Sequence, residues 1–216
     1  MKITTRIYIE DARTFKTLLL TSLMSAQQVI DEVVSRFHQD ASPDWTIFEL
    51  CNDSGIERPL REWEIVTDVI SAWDNTSGKG AGNAIVMKKY GFKNTVSAKS
   101  IAGKYPRVQG WMHMESKPGK WQKRFFALRE ANLYYYKDAD QSSASETLFC
   151  GLSNYDVYTL SSTKARKKKP TRFCFALRST DSISLFENKQ DYARFLCVDK
   201  EERFYDWVLA IRLAKS

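Results

Sequence analysis

Two runs of basic residues carry the clearest chemistry in this 216-residue chain. Lys117, Lys120, Lys123 and Arg124 frame a stretch that also holds Trp121, Phe125 and Phe126. Lys164, Arg166, Lys167, Lys168 and Lys169 crowd into a second cluster. Side chains of this type donate hydrogen bonds and fixed positive charge, so they bind phosphate-like anions and do not shuttle protons at neutral pH. At roughly 1 kcal/mol for each Lys or Arg held near an anionic leaflet, three or four of them give a meaningful pull. A smaller basic set sits near the N-terminus: Lys2, Arg6 and Lys16, with Arg36 further on.

Catalytic chemistry has little to work with. A reaction needs a positioned base or nucleophile, and the chain has two histidines, His38 and His113, with no carboxylate pair in a motif context. Cys51, Cys150, Cys174 and Cys197 are far apart, with no C-x-x-C and no histidine at ligand spacing. They read as reduced core thiols, each beside aromatic or aliphatic residues. Gly78-Lys79, in the Asn75 to Asn83 loop, lacks the G-x-x-x-x-G-K-[ST] spacing and no helix follows it. The reading is a non-enzymatic binding protein with no cofactor and no metal.

The net charge of +7 is unevenly spread. Residues 1–92 carry 10 Lys/Arg and 13 Asp/Glu, a balance of −3, and residues 93–216 carry 23 and 13, a balance of +10. Two modules with different partners are expected, the second facing phosphates. Tyr134, Tyr135 and Tyr136 are possible stacking surfaces for single-stranded nucleic acid. Tyrosines alternating in a strand serve the core instead, so no nucleic-acid partner is expected. No apolar run approaches the ~18 residues that a spanning helix needs, so membrane contact would be peripheral.

The elements that must position these residues fall into two sets. In residues 2–9, Ile3, Ile7 and Ile9 share one face and Lys2, Thr4, Arg6 and Tyr8 the other. A turn at Glu10-Asp11-Ala12-Arg13 leads to a partner strand from Thr14 to Leu20. Ser25 caps a helix running to about His38, with Val29, Ile30, Val33, Val34 and Phe37 at helical spacing. A strand over Trp45 to Cys51, a short helix from Trp63 to Trp73 and a strand from Ala84 to Lys89 complete the order of a ubiquitin-like β-grasp fold. Residues 93–106 read as a connector.

From Val108 the pattern becomes closely spaced strands: 108–115, 121–129, 132–137, 147–152, 155–160, 171–178, a further one near 183–186, and 193–198. The first two form a hairpin about the Lys117-Pro118-Gly119-Lys120 turn. A helix from Glu201 to Lys215, carrying Trp207, closes the chain. Seven strands, the one near 183–186 left aside, and a terminal helix suit a barrel-like sandwich capped at one end.

The hairpin and the Trp-bearing last helix resemble the pleckstrin-homology (PH) domain. Earlier strings resemble, in order and spacing, the Ras-associating (RA) domain of the lamellipodin and Rap-interacting adaptor family: Asp44-Trp45-Thr46-Ile47-Phe48-Glu49, Ile56-Glu57-Arg58 and Asp68-Val69-Ile70-Ser71-Ala72-Trp73. The receptor-bound adaptors of the Grb class are similar at a greater distance. In that family the RA domain continues directly into a PH domain. Lys120-Trp121, Lys168-Lys169-Pro170-Thr171 and Trp207-Val208-Leu209-Ala210-Ile211-Arg212 continue the likeness here.

The resemblance implies an α+β chain, a piece of a larger adaptor: an RA domain at 1–92, a linker at 93–106 and a PH domain at 107–216. It implies a GTP-loaded Ras/Rap-type small GTPase on the first domain, met by strand augmentation at Lys2, Arg6, Lys16 and Arg36. It implies acidic phospholipid, phosphoinositide included, on the second, at the two basic clusters. The setting implied is cytoplasmic, with recruitment to the inner face of the plasma membrane. PH domains that grip phosphoinositides tightly carry a base at the end of strand one and K-x-R in strand two. Met114-Glu115 and Gln122 stand there, which points to charge-led binding of low lipid specificity. A scaffold whose barrel binds proteins is the alternative.

Overall fold

The computed structural model describes residues 2–11, 13–73, 82–101, 106–140, 143–162 and 168–216. The chain divides into two compact units, Met1–Ala102 and Gly103–Ser216.

In the first unit the elements run β1 (Lys2–Ile9), β2 (Phe15–Thr21), α1 (Ala26–Phe37), β3 (Trp45–Cys51), β4 (Ile56–Pro59), α2 (Val66–Ser71) and β5 (Asn83–Lys89). A 3-10 turn (Lys93–Val96) and the one-turn α3 (Ala98–Ile101) follow. The strands lie in the order β2-β1-β5-β3-β4. The β1–β2 hairpin is antiparallel, β1 and β5 are parallel at Ile7↔Ile85, and β3 is antiparallel to both β5 and β4. This is the β-grasp arrangement expected from the sequence. Asp11 sets the hairpin turn by accepting from the amides of Arg13 (2.8 Å) and Thr14 (3.0 Å). Those amide bonds hold its carboxyl below the ordinary carboxylate range.

Helix α1 starts where Ser25 predicts. Its hydroxyl accepts from Gln28 N at 3.3 Å and the Gln28 side chain accepts from Ser25 N at 2.9 Å, a reciprocal capping box. Ala26, Val29, Ile30 and Val33 are buried along one stripe and pack with Ile7, Leu18, Leu20, Ile47 and Met87. The second helix is shorter than the 63–73 expectation. Residues just before it form a turn, closed by Glu64 N donating to Arg61 O at 3.0 Å, whose carbonyls serve α1: Glu62 O and Glu64 O accept from Gln27 N and Ala26 N. The segment read as a connector begins folded onto this unit. Thr95 and Val96 are buried, Val96 O accepts from Glu62 N at 3.0 Å, and Glu62 accepts from Ala98 N at 3.2 Å.

The second unit contains β6 (Val108–Lys117), β7 (Lys120–Arg129), β8 (Asn132–Tyr136), β9 (Thr147–Gly151), β10 (Tyr155–Leu160), β11 (Phe173–Ser179), the one-turn α4 (Lys189–Tyr192), β12 (Ala193–Val198) and α5 (Glu201–Lys215). Its seven strands run β10-β11-β12-β6-β7-β8-β9, all antiparallel neighbours. Met112, Phe126, Leu128, Phe175, Leu177 and Leu196 fill the space between the strands, and Trp207, Val208 and Ile211 of α5 close it.

Two expectations are corrected. Residues 183–186 form no strand: Ile183–Leu185 is a 3-10 turn capped by the Ser182 side chain, and Leu185 stays exposed. Cys174 and Cys197 are not free thiols. The β11–β12 register sets them opposite one another, Cα to Cα 4.1 Å, and they are joined as a disulfide. Cys51 and Cys150 are buried and take no part in a disulfide, as expected. Among the described residues no helix is long and apolar enough to cross a membrane, and no group of metal-ligating side chains gathers.

Candidate functional site

Strand β2 ends the first unit's sheet, so among the described strands it is paired on one side only. Alternation sorts its side chains. Leu18 and Leu20 are buried in the core, which puts Lys16 on the α1 side with them. There the Lys16 ammonium stands 5.3 Å from the centroid of the Phe37 ring, and the Arg36 guanidinium stands 5.6 Å from the same ring. Two cations from different elements thus share one aromatic ring, held by its quadrupole. Arg36 also reaches Glu32 at 3.8 Å, an exposed pair of small weight.

The other two expected residues lie elsewhere. Arg6 is on the opposite face of the sheet, its guanidinium 4.6 Å from the Phe15 ring. Lys2 is exposed on that face too, in register with Thr21. The structure brings Lys16 and Arg36 together and separates both from Lys2 and Arg6. Sequence reasoning passed over Phe15 and Leu19, which are 41% and 50% exposed on the Arg6 face. The signal was available: Leu19 is out of phase with Leu18 and Leu20.

In the second unit, the β6–β7 hairpin turns tightly at Lys117–Lys120. Gly119 sits at φ +72°, and its amide donates to Glu115 Oε1 at 2.8 Å. Lys168, in the left-handed region at φ 56°, lies against this turn. A Cβ added at Gly119 would come within 3.3 Å of Lys168 Cδ. The indole N–H of Trp121 donates to Lys168 O at 2.7 Å. The end of the second basic cluster is therefore pinned beside Lys117 and Lys120, and Lys169 follows it. Lys164, Arg166 and Lys167 fall outside the described residues, as do residues 74–81 of the Gly-Lys loop.

Lys123 points to the outer face of β7 and meets Asp199 at 3.7 Å, as His113 does at 3.3 Å. Arg124 has the opposite parity. Its guanidinium donates to Gln122 Oε1 at 3.0 Å and to Lys123 O at 2.9 Å. Met114 is in register with Gln122. An arginine spent on its own strand, beside an amide and a thioether, makes a poor clamp for a multiply charged headgroup.

Comparison with known proteins gives these two units their names. The RA-like domain family matches residues 1–94, and the PH domain family matches residues 106–216. The chain belongs to the PH domain family, with an RA-like domain in tandem before it. The chicken amyloid beta A4 precursor protein-binding family B member 1-interacting protein is 26% identical over 243 residues, which is 99% of this chain and 49% of that protein. Human Ras-associated and pleckstrin homology domains-containing protein 1 is 24% identical over 99% of this chain and 19% of its own length. Mouse growth factor receptor-bound protein 14 is 26% identical over 98% of this chain and 43% of its own. The chain spans half or less of the length of these relatives. The crystal structure of the coiled-coil, RA and PH domains of lamellipodin superposes with a TM-score of 0.79 at 21% identity, covering 99% of this chain and 87% of that one. That likeness fixes the fold of the RA–PH tandem.

Proposed function

We propose that the RA–PH tandem is a signalling adaptor module. Its RA domain (residues 1–92) binds a GTP-loaded Ras/Rap-type small GTPase along the β2 edge. Its PH domain (residues 107–216) binds acidic phospholipid at the inner face of the plasma membrane, and residues 93–106 join the two. The observation that carries this reading is the open edge of β2, flanked by Lys16 and Arg36 over Phe37. An unpaired strand edge offers backbone donors and acceptors to an incoming strand, and nearby cations steer an acidic partner onto it. The RA half has a balance of −3, so steering depends on these local charges.

On the PH domain, Lys117, Lys120 and Lys168 supply a basic rim. The engagement of Arg124 with Gln122 favours charge-led binding over a stereospecific pocket. Two linked weak sites act on each other at roughly mM effective concentration, so together they outbind either alone. The test is a pull-down against a panel of small GTPases loaded with GTP or GDP, run beside sedimentation with acidic and neutral liposomes. GTP-selective capture and acid-selective sedimentation are expected. The same Arg124–Gln122 engagement favours a second reading, a PH barrel that binds protein; sedimentation that ignores acidic lipid would select it.

A further inference from the structure

We infer that the β2 edge is two-sided and selects its partner strand by pattern as well as by charge: the incoming strand carries an acidic side chain on the α1 side and an apolar one on the opposite face. This rests on the GTPase reading and adds to it the chemistry that the docking strand must present. The α1 side is the cationic one, where Lys16 and Arg36 share the Phe37 ring. The other face is apolar at the edge. Phe15 and Leu19 stand there at 41% and 50% exposure with Thr17 between them. Phe15 is held in place rather than loose, since Arg6 stacks on its ring and the Tyr8 ring lies 5.7 Å away.

Edge strands that must stay unpaired are guarded by outward charge, proline or a bulge. The outer positions of β2 have none of these: they read Phe15, Thr17, Leu19 and Thr21, in unbroken register with β1. A strand added to this edge runs ~4.8 Å away with its side chains alternating on the same two faces. Opposite positions then bring Cβ atoms within about 5 Å, so the newcomer meets Lys16 on one face and Phe15 and Leu19 on the other. A shallow groove, lined in part by Thr4, Arg6, Tyr8 and Thr17, extends this outer face beyond β2. With a net-acidic RA half, contact on this face adds affinity that charge alone does not supply. A membrane is a poor occupant for the same reason, because the leaflet would repel that half.

The experiment uses the whole tandem and the GTPase that the panel identifies, titrated at several salt concentrations. Leu19→Ser should weaken binding about tenfold, the effect of losing one buried leucine contact, with the salt dependence unchanged. Lys16→Ala should weaken binding and flatten the salt dependence. Thr17→Asp, a second exposed change on the same face, should weaken binding at an unchanged melting temperature, which guards against a folding artefact. Leu19→Ser and Thr17→Asp variants that bind as tightly as the parent overturn the inference while leaving the GTPase reading intact. A parent that binds no GTPase overturns both. A parent that dimerises through this face, with dimerisation but not GTPase affinity lost in Leu19→Ser, overturns the inference and assigns the face to a second copy of the chain.

Discussion

Trp121 and Lys168 are 47 residues apart in sequence and joined by one hydrogen bond, indole N–H to carbonyl oxygen, at 2.7 Å. That bond ties Lys168, in the basic run of the sequence, to the hairpin at the front of the PH barrel. Trp121→Phe keeps the ring and deletes the donor. Losing one such bond costs about 0.5–1.5 kcal/mol, so the global melt should move little. Binding to anionic liposomes should fall a few-fold as Lys168 loses its anchor, and sedimentation of the variant beside the parent checks this.

The placement of the RA-domain bases yields a coupling prediction. Lys16 and Arg36 share the Phe37 ring, whereas Arg6 lies across the sheet on Phe15. Lys16→Glu should weaken GTP-dependent GTPase binding by about tenfold or more. In double-mutant cycles, Lys16→Glu and Arg36→Glu should couple, while Lys16→Glu and Arg6→Glu should add. Calorimetric titration of the four variants in each cycle measures the difference.

Trp207 is completely buried at the centre of the PH core. Trp207→Ala should cost roughly 3–5 kcal/mol, as large-to-small core changes do. Denaturant unfolding that shifts by less than about 1 kcal/mol would show that α5 does not close the barrel.

Thiol chemistry offers a separate check. With Cys174 and Cys197 joined, denatured unreduced protein should label at two cysteines, Cys51 and Cys150, and reduced protein at four. In the native state Cys150 should resist alkylation at pH 8, because burial pushes its thiol up from 9.0 to about 12, with Arg194 opposing weakly. The unfolded thiol ionises first, so this group has no effect on stability below pH 9. It lowers stability as pH rises from 9 towards 12. Alkylation rates and melts across that range measure both effects.

Much of this architecture was legible because local signals agreed with the fold. Ser25 and Gln28 mark the start of α1, the Lys117-Pro118-Gly119-Lys120 turn marks the hairpin, and alternation from Lys2 to Ile9 marks an edge-side strand. What escaped depended on register and parity. The run Leu18-Leu19-Leu20 hides which face β2 buries, and so hid that Lys16 and Arg6 point apart. The disulfide follows from β11 and β12 setting Cys174 opposite Cys197, a pairing that no spacing encodes. Ile183, Leu185 and Phe186 look like a strand by composition, but the Ser182 hydroxyl competes for the backbone and turns it into a 3-10 turn. Arg124 looked like a free base, and only the side-chain geometry reveals its bond to Gln122.

The central claim is that two weak sites on one chain act together. Its most direct test is partition of the tandem onto phosphatidylserine and phosphoinositide vesicles that carry the tethered small GTPase, loaded with GTP or with GDP. GTP-loaded vesicles should bind at least tenfold more tightly than bare acidic vesicles or neutral vesicles bearing the same GTPase. Lys16→Glu should remove the gain due to the GTPase, and high salt should remove the gain due to the lipid. Equal partition onto GTP-loaded, GDP-loaded and bare acidic vesicles would contradict the account.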